Sequence, residues 1–148
     1  MSSSPLLARK YKYASRFIDD QLNLNDDGEF GRSYHLIYRP ELELKCESNG
    51  NDGTYLELAI HIKDGQFVYK LFDKRDGFPF EIVRMPDLTG NIPEHIFYGT
   101  FSAECLRISR ATLMYEDFEP RIKQIYKRMC NQGGNSKKLI RTFKKVIL

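Results

Sequence analysis

Two adjacent carboxylates, Asp19 and Asp20, stand in the run ASRFIDDQLNLN between segments whose residues suit β-strands. Like charges side by side repel unless a cation or strong hydrogen bonds offset the cost. A divalent metal does so. Mg²⁺ prefers oxygen ligands, takes one or two protein carboxylates and completes its shell with water and substrate phosphates. Two such ions about 4 Å apart activate an attacking hydroxyl and steady a leaving pyrophosphate in phosphoryl transfer. Asp19 and Asp20 at a rigid strand-turn-strand tip are therefore candidate metal ligands and catalytic residues. The alternative is a solvated turn, since Asp favours turns through its own side-chain hydrogen bonds. Phe17 and Ile18 are expected to bury the incoming strand, and the alternating exit strand from Gln21 to Asn25 to hold the turn rigid.

Cations form the second candidate chemistry. The 148-residue chain has a formal charge of only +3, but Arg121, Lys123, Lys127, Arg128, Lys137, Lys138, Arg141, Lys144 and Lys145 fall in its last 28 residues with no Asp or Glu among them. Such unrelieved repulsion is lowered by a polyanion, and Lys127, Arg128 and Lys144 are the candidate nucleic-acid contacts; a solvated charged face is the competing reading. Lys74, Arg75 and Arg84 can touch phosphates, or DKRD can be a self-compensating turn bracketed by Asp73 and Asp76. Arg107 and Arg110 share a helical face and either contact a duplex or pair with Glu104. Tyr11, Tyr13, Tyr34, Tyr38, Tyr55 and Tyr69 can stack bases but fit a core or strand pairs as well. His35, His61 and His95 share no metal-ligand spacing, and no Gly-rich phosphate loop is present. Cys46, Cys105 and Cys130, odd in number and far apart, read as reduced thiols rather than a disulfide framework.

The elements that must position these groups follow from periodicity. A strand, a tight turn and a strand are expected from Tyr11 to Asn25, and GEFGRSYHLIYRP suits a short helix ending before Pro40. ELELKCE places Leu42, Leu44 and Cys46 on one face of a strand, followed by a loop at SNGNDG. In TYLELAIHIKDGQFVYKLF, Leu56, Leu58, Ile60 and Ile62 alternate with Tyr55, Glu57, Ala59 and His61, and Asp64-Gly65 supplies a hairpin turn before a strand ending near Phe72. Pro79, Pro86 and Pro93 exclude a long helix from Asp73 to about Pro93. Phe118, Ile122, Ile125 and Met129 then step by four, three and four, the stripe of an amphipathic helix. Further helices are expected over about Thr100 to Met114 and Ser136 to Ile147, with a break at Gly133-Gly134. The fold class is α+β, in three parts: an arm over 1–10, a β-rich unit over 11–93 and a basic helical unit over 94–148. With 41% hydrophobic residues the chain can bury a core. MSSSPLLARK lacks the apolar run of a signal peptide, and nothing reaches the roughly 18 apolar residues of a span, so a soluble intracellular protein without membrane contact is expected.

RFIDDQLNLN resembles the aromatic-x-Asp-Asp box of retroelement reverse transcriptases. The similarity continues through YRPELELK, TYLELAIHIKDGQFVYKLFDKRDGFPFEIV, the NIP of residues 91 to 93, and YGTFSAECLRISRA with its trailing DF and NQG, covering roughly residues 11 to 147.

That resemblance implies an RNA-directed DNA polymerase: antiparallel hairpins of a partial palm followed by a helical thumb, with Asp19 and Asp20 ligating two Mg²⁺ ions and Phe17 in the aromatic position. It also implies a primer-gripping role for the hairpin around Asp64-Gly65, and an RNA template and DNA primer as partners. The thumb would hold their duplex by shape and phosphate contacts, in nucleus or cytoplasm. Fingers and a further palm aspartate precede the box in that family. The 18 residues before Asp19 contain no Asp or Glu. The expectation is thus an incomplete two-metal site that a complementary polymerase chain would complete. The alternative is a noncatalytic nucleic-acid-binding or ribonucleoprotein scaffold derived from such an enzyme.

Overall fold

The computed structural model describes residues 11–80, 82 and 85–147, so the expected arm over 1–10 and Arg84 lie outside the described residues. The fold is mixed α+β, with a two-stranded and a three-stranded antiparallel sheet ahead of three long helices.

The first hairpin pairs β1 (Ala14–Phe17) with β2 (Asp20–Asn23), Phe17 opposite Asp20, so Ile18 and Asp19 make the turn. Asp26 then turns the chain into α1 (Glu29–Ser33), its carboxylate accepting from the backbone N–H groups of Glu29 at 3.0 Å and Phe30 at 3.2 Å. Those donors have no partner inside a helix's first turn, which is why an Asp is useful there. A 3₁₀ turn at Tyr34–Leu36 ends the segment before Pro40.

The expected strand over ELELKCE is absent: residues 42–49 adopt no regular structure and Leu42 is exposed. Alternation marks two faces, but a strand persists only where another strand pairs with it. The end of the expected loop, Asp52 and Gly53, joins Thr54 and Tyr55 of the expected strand in β3 (Asp52–Tyr55), paired with β4 (Leu58–Lys63), which pairs with β5 (Gln66–Leu71). The stretch read as one strand from Tyr55 breaks at Leu56-Glu57, with Leu56 at φ 55°. Asp64 (φ 52°) and Gly65 (φ 75°) form the expected two-residue turn, a type whose positive φ values match the strand twist. Leu58, Ile60 and Ile62 lie opposite Leu71, Tyr69 and Phe67 on one half-buried face.

The core belongs to the helices. In α2 (Glu94–Ala111), Phe97, Phe101, Cys105 and Ile108 step by four, four and three and are all but fully buried. They meet Ile125 and Met129 of α3 (Tyr115–Asn131) and Leu139 of α4 (Ser136–Ile147). α2 starts six residues before the expected Thr100, directly after Pro93, whose fixed φ suits a helix start. It stops three before Met114 because Thr112 and Leu113 turn extended along β5, Leu113 N–H donating to Tyr69 O at 3.0 Å.

The break between α3 and α4 falls where the glycines predict. Gly133 (φ 86°) donates to Cys130 O at 3.2 Å and Gly134 to Met129 O at 2.9 Å, the paired bonds of a Schellman cap. A Cβ on Gly134 would stand 2.7 Å from Met129 O and 2.9 Å from Phe97 Cε1. Gly134→Ala is therefore expected to cost about 1–3 kcal/mol, while Gly31→Ala, with nothing within 4 Å of the added carbon, leaves stability unchanged or higher. Urea denaturation of both variants checks this; equal midpoints would refute the close-approach argument.

Candidate carboxylate tip and cationic helix face

The tip is built as the sequence implies in order and differently in support. Asp19 and Asp20 are exposed, and neither side chain makes a hydrogen bond or ion pair among the described residues. β1 is exposed along its whole length, with Phe17 54% and Ile18 74% accessible, so the burial expected to brace the turn is not there. The hairpin pairs with no third strand that would give it a covered face. Ile18 sits at φ 54°, a conformation costing about 1–2 kcal/mol for an L-residue with a Cβ.

Oxygen donors of this kind suit Mg²⁺, and two of them supply part of a ligand set. Among the described residues no group of three or more His, Cys, Asp or Glu side chains converges on a metal-sized site. The nearest acids in sequence, Asp26 and Asp27, leave the far end of the hairpin, about 13 Å along a four-residue strand, and Asp26 is occupied capping α1.

The cations divide into two populations. Asp73, only 5% exposed, receives Arg75 Nε at 2.8 Å and Arg121 Nη2 at 3.0 Å; Asp76 receives the other Arg121 terminal nitrogen and Arg128 at 3.8 Å. The DKRD turn and α3 thus share one ion network, and Arg75 and Arg128 belong to it. Arg107 bridges Glu104 of its own helix and Glu57 of the β3–β4 turn, each at 2.8 Å. Burial opposes its charge, but the two carboxylates outweigh that and raise its pKa above the ordinary guanidinium value. Lys123 pairs with Glu119, and Lys138 with Glu94 while lying 4.5 Å over the Tyr98 ring. The last 28 residues contain no acid, yet other segments bring acids to four of their nine cations.

Lys127, Lys137, Arg141, Lys144 and Lys145 remain exposed with no carboxylate partner among the described residues, as do Lys74 and Arg110. Four of them lie on α4. At 100° per residue, Lys137, Lys138, Arg141, Lys144 and Lys145 occupy one arc of about 120°, while Leu139, Thr142, Phe143 and Val146 point into the bundle. The sequence showed the charge; which cations are free depends on acids distant in the chain.

Of the three thiols, Cys105 is closed to chemistry. Cys105 is fully buried, and desolvation, aided by Glu104, pushes its pKa up to about 11, which keeps it protonated and inert at neutral pH. His61 hydrogen-bonds Asp52 across β3 and β4 on the exposed face. No helix among the described residues is long and apolar enough to cross a membrane.

No family model, characterised protein or solved structure matches the chain.

The ion network has a measurable consequence. Arg121→Met removes a guanidinium from a buried carboxylate and is expected to cost about 2 kcal/mol or more. Lys123→Met, at an exposed i,i+4 pair, leaves the melting temperature where it was. An Arg121→Met protein that melts with the wild type would show that the network does not hold sheet and helices together.

Proposed function

We propose that this chain binds a nucleic-acid duplex through the outer face of α4, as the palm-and-thumb portion of an RNA-directed DNA polymerase that is active only with a complementary fingers-and-palm segment. The observation that supports the reading is the arc of α4 cations. Lys137, Arg141 and Lys145 follow one another four residues apart, about 6 Å of axial rise per step. Their helix is anchored from behind by Leu139, Phe143 and Val146. Charges without carboxylate partners on a rigid helix form phosphate contacts without first breaking an ion pair, and contacts to phosphates serve any sequence.

The carboxylate tip belongs to the same reading through the resemblance of RFIDDQLNLN. With a further aspartate contributed by the complementary segment, Asp19 and Asp20 would ligate Mg²⁺, which supplies activation of the primer 3′-hydroxyl and stabilisation of pyrophosphate. By itself this chain brings two carboxylates and a duplex-binding helix. A second reading is favoured by one observation, the exposure of β1 along its whole length: a noncatalytic scaffold that retains the basic helices alone. RNA and RNA–DNA hybrids are the expected ligands under both.

Two measurements separate the cases. Binding to an RNA–DNA hybrid, followed against salt, should weaken steadily, and Arg141→Gln/Lys144→Gln/Lys145→Gln should flatten the log–log slope by about 3 without changing the melting temperature. A slope unchanged in the triple variant would place binding elsewhere. Primer extension on an RNA template with Mg²⁺ and deoxynucleotides should appear only when a complementary fragment is added and vanish in Asp19→Ala. Binding with no extension in any mixture would favour the scaffold.

A further inference from the structure

A second feature of the molecule joins aromatic and cationic groups away from α4. Between the turn after β5 and the side of α3 lies an open cavity of about 340 Å³, lined by Arg75, Asp76, Phe78, Phe80, Gln124 and Arg128. That volume is within the range of small-ligand sites. Phe78 and Phe80 are 50% and 62% exposed, yet their rings lie nearly parallel, with centroids 5.3 Å apart and planes 27° from each other. Pro79 between them fixes one backbone angle and restricts its predecessor; Phe78 is held at φ −79°, ψ 143°. The result is a stacked aromatic pair whose outer face is open and which loses little freedom when something is laid upon it.

The polar groups around the platform have capacity to spare. Among the described residues lining the groove, two guanidiniums, Arg75 and Arg128, stand beside one carboxylate, Asp76. Arg128 is the loosest member, 3.8 Å from Asp76. Gln124 accepts from Arg121 through its carbonyl oxygen at 2.6 Å, and its NH₂ group has no partner among the described residues. An aromatic face, a donor pair and one surplus cation match a planar heterocycle attached to a single phosphodiester.

We propose that this groove takes an unpaired nucleobase of single-stranded RNA or DNA, stacked on the Phe78–Phe80 platform with its phosphate against Arg128. A base inside a duplex cannot present its face, so the groove selects single strands, whereas the α4 arc holds duplex backbone. The proposal rests on the nucleic-acid-binding reading above and assigns it a second site with the opposite strand preference. Sequence dependence should be slight, because every base has a face to stack.

Fluorescence anisotropy with labelled oligouridylate and with a blunt RNA–DNA hybrid tests it, using the full chain and Phe78→Leu/Phe80→Leu. Leucine keeps the site apolar without a stacking face, and both positions are exposed, so folding is retained and is checked by circular dichroism. The double variant should bind oligouridylate about tenfold more weakly and the hybrid as the wild type does. If wild type binds both ligands and the variant keeps its oligouridylate affinity, the groove is not a base site and the α4 reading stands; a folded variant that loses both ligands equally overturns both assignments. If wild type binds neither, both proposals fall.

Discussion

The placement of the sheet on the helices depends on a single buried carboxylate. Asp73 ends the excursion of β5, and its two oxygens are gripped by Arg75 from the same turn and by Arg121 from α3. A charge with 5% of its side chain exposed is tolerable only with such partners. Around it, Leu113 continues the edge of β5, Lys70 pairs with Asp117 at 2.9 Å, and Arg107 reaches Glu57. The seam between the two halves is polar, made of ion pairs and backbone hydrogen bonds more than of shared apolar surface. Only Leu71, near the end of β5, reaches the helical core from the sheet.

This arrangement divides the chain unequally. Phe30 is the one buried apolar side chain between residues 11 and 80, held by Tyr11 and Tyr38 at ring-centroid distances of 5.6 and 6.4 Å. The helices, by contrast, share a contiguous core of Phe97, Phe101, Cys105, Ile108, Ile125, Met129 and Leu139. A two-stranded hairpin without a packed face is marginal in water. The carboxylates on such a hairpin have the right chemistry and little to fix their aim, which is why the proposed polymerase needs a complementary segment for positioning as well as for another ligand.

The sequence disclosed what is local. The Asp64-Gly65 turn, the stripe Phe118, Ile122, Ile125, Met129 and the Gly133-Gly134 break were legible because turn conformation and helical period are written in neighbouring residues. What escaped depends on distant partners. ELELKCE alternates as a strand should and has no strand to pair with, while Asp52–Tyr55, which opens on Asp-Gly, finds β4. The early start of α2 was missed, although Phe97, Phe101 and Cys105 set the period. At the candidate site, residue identities were legible and their surroundings were not. Sequence gave no means of assigning Asp73 to Arg121 or Glu94 to Lys138, so the cations that are free on α4 emerged only with the fold.

The central claim is that a stable basic helical body carries a hairpin that is poorly supported by the rest of this chain. Native-state hydrogen exchange measures this directly. The account predicts that amides of Phe101, Cys105, Ile125 and Met129 exchange only through global unfolding, while those of Ser15 to Asn23 exchange through local opening with far smaller protection. Protection of the Asp19-Asp20 hairpin equal to that of the helical core would contradict it, and would mean that these residues brace their own carboxylates without a partner.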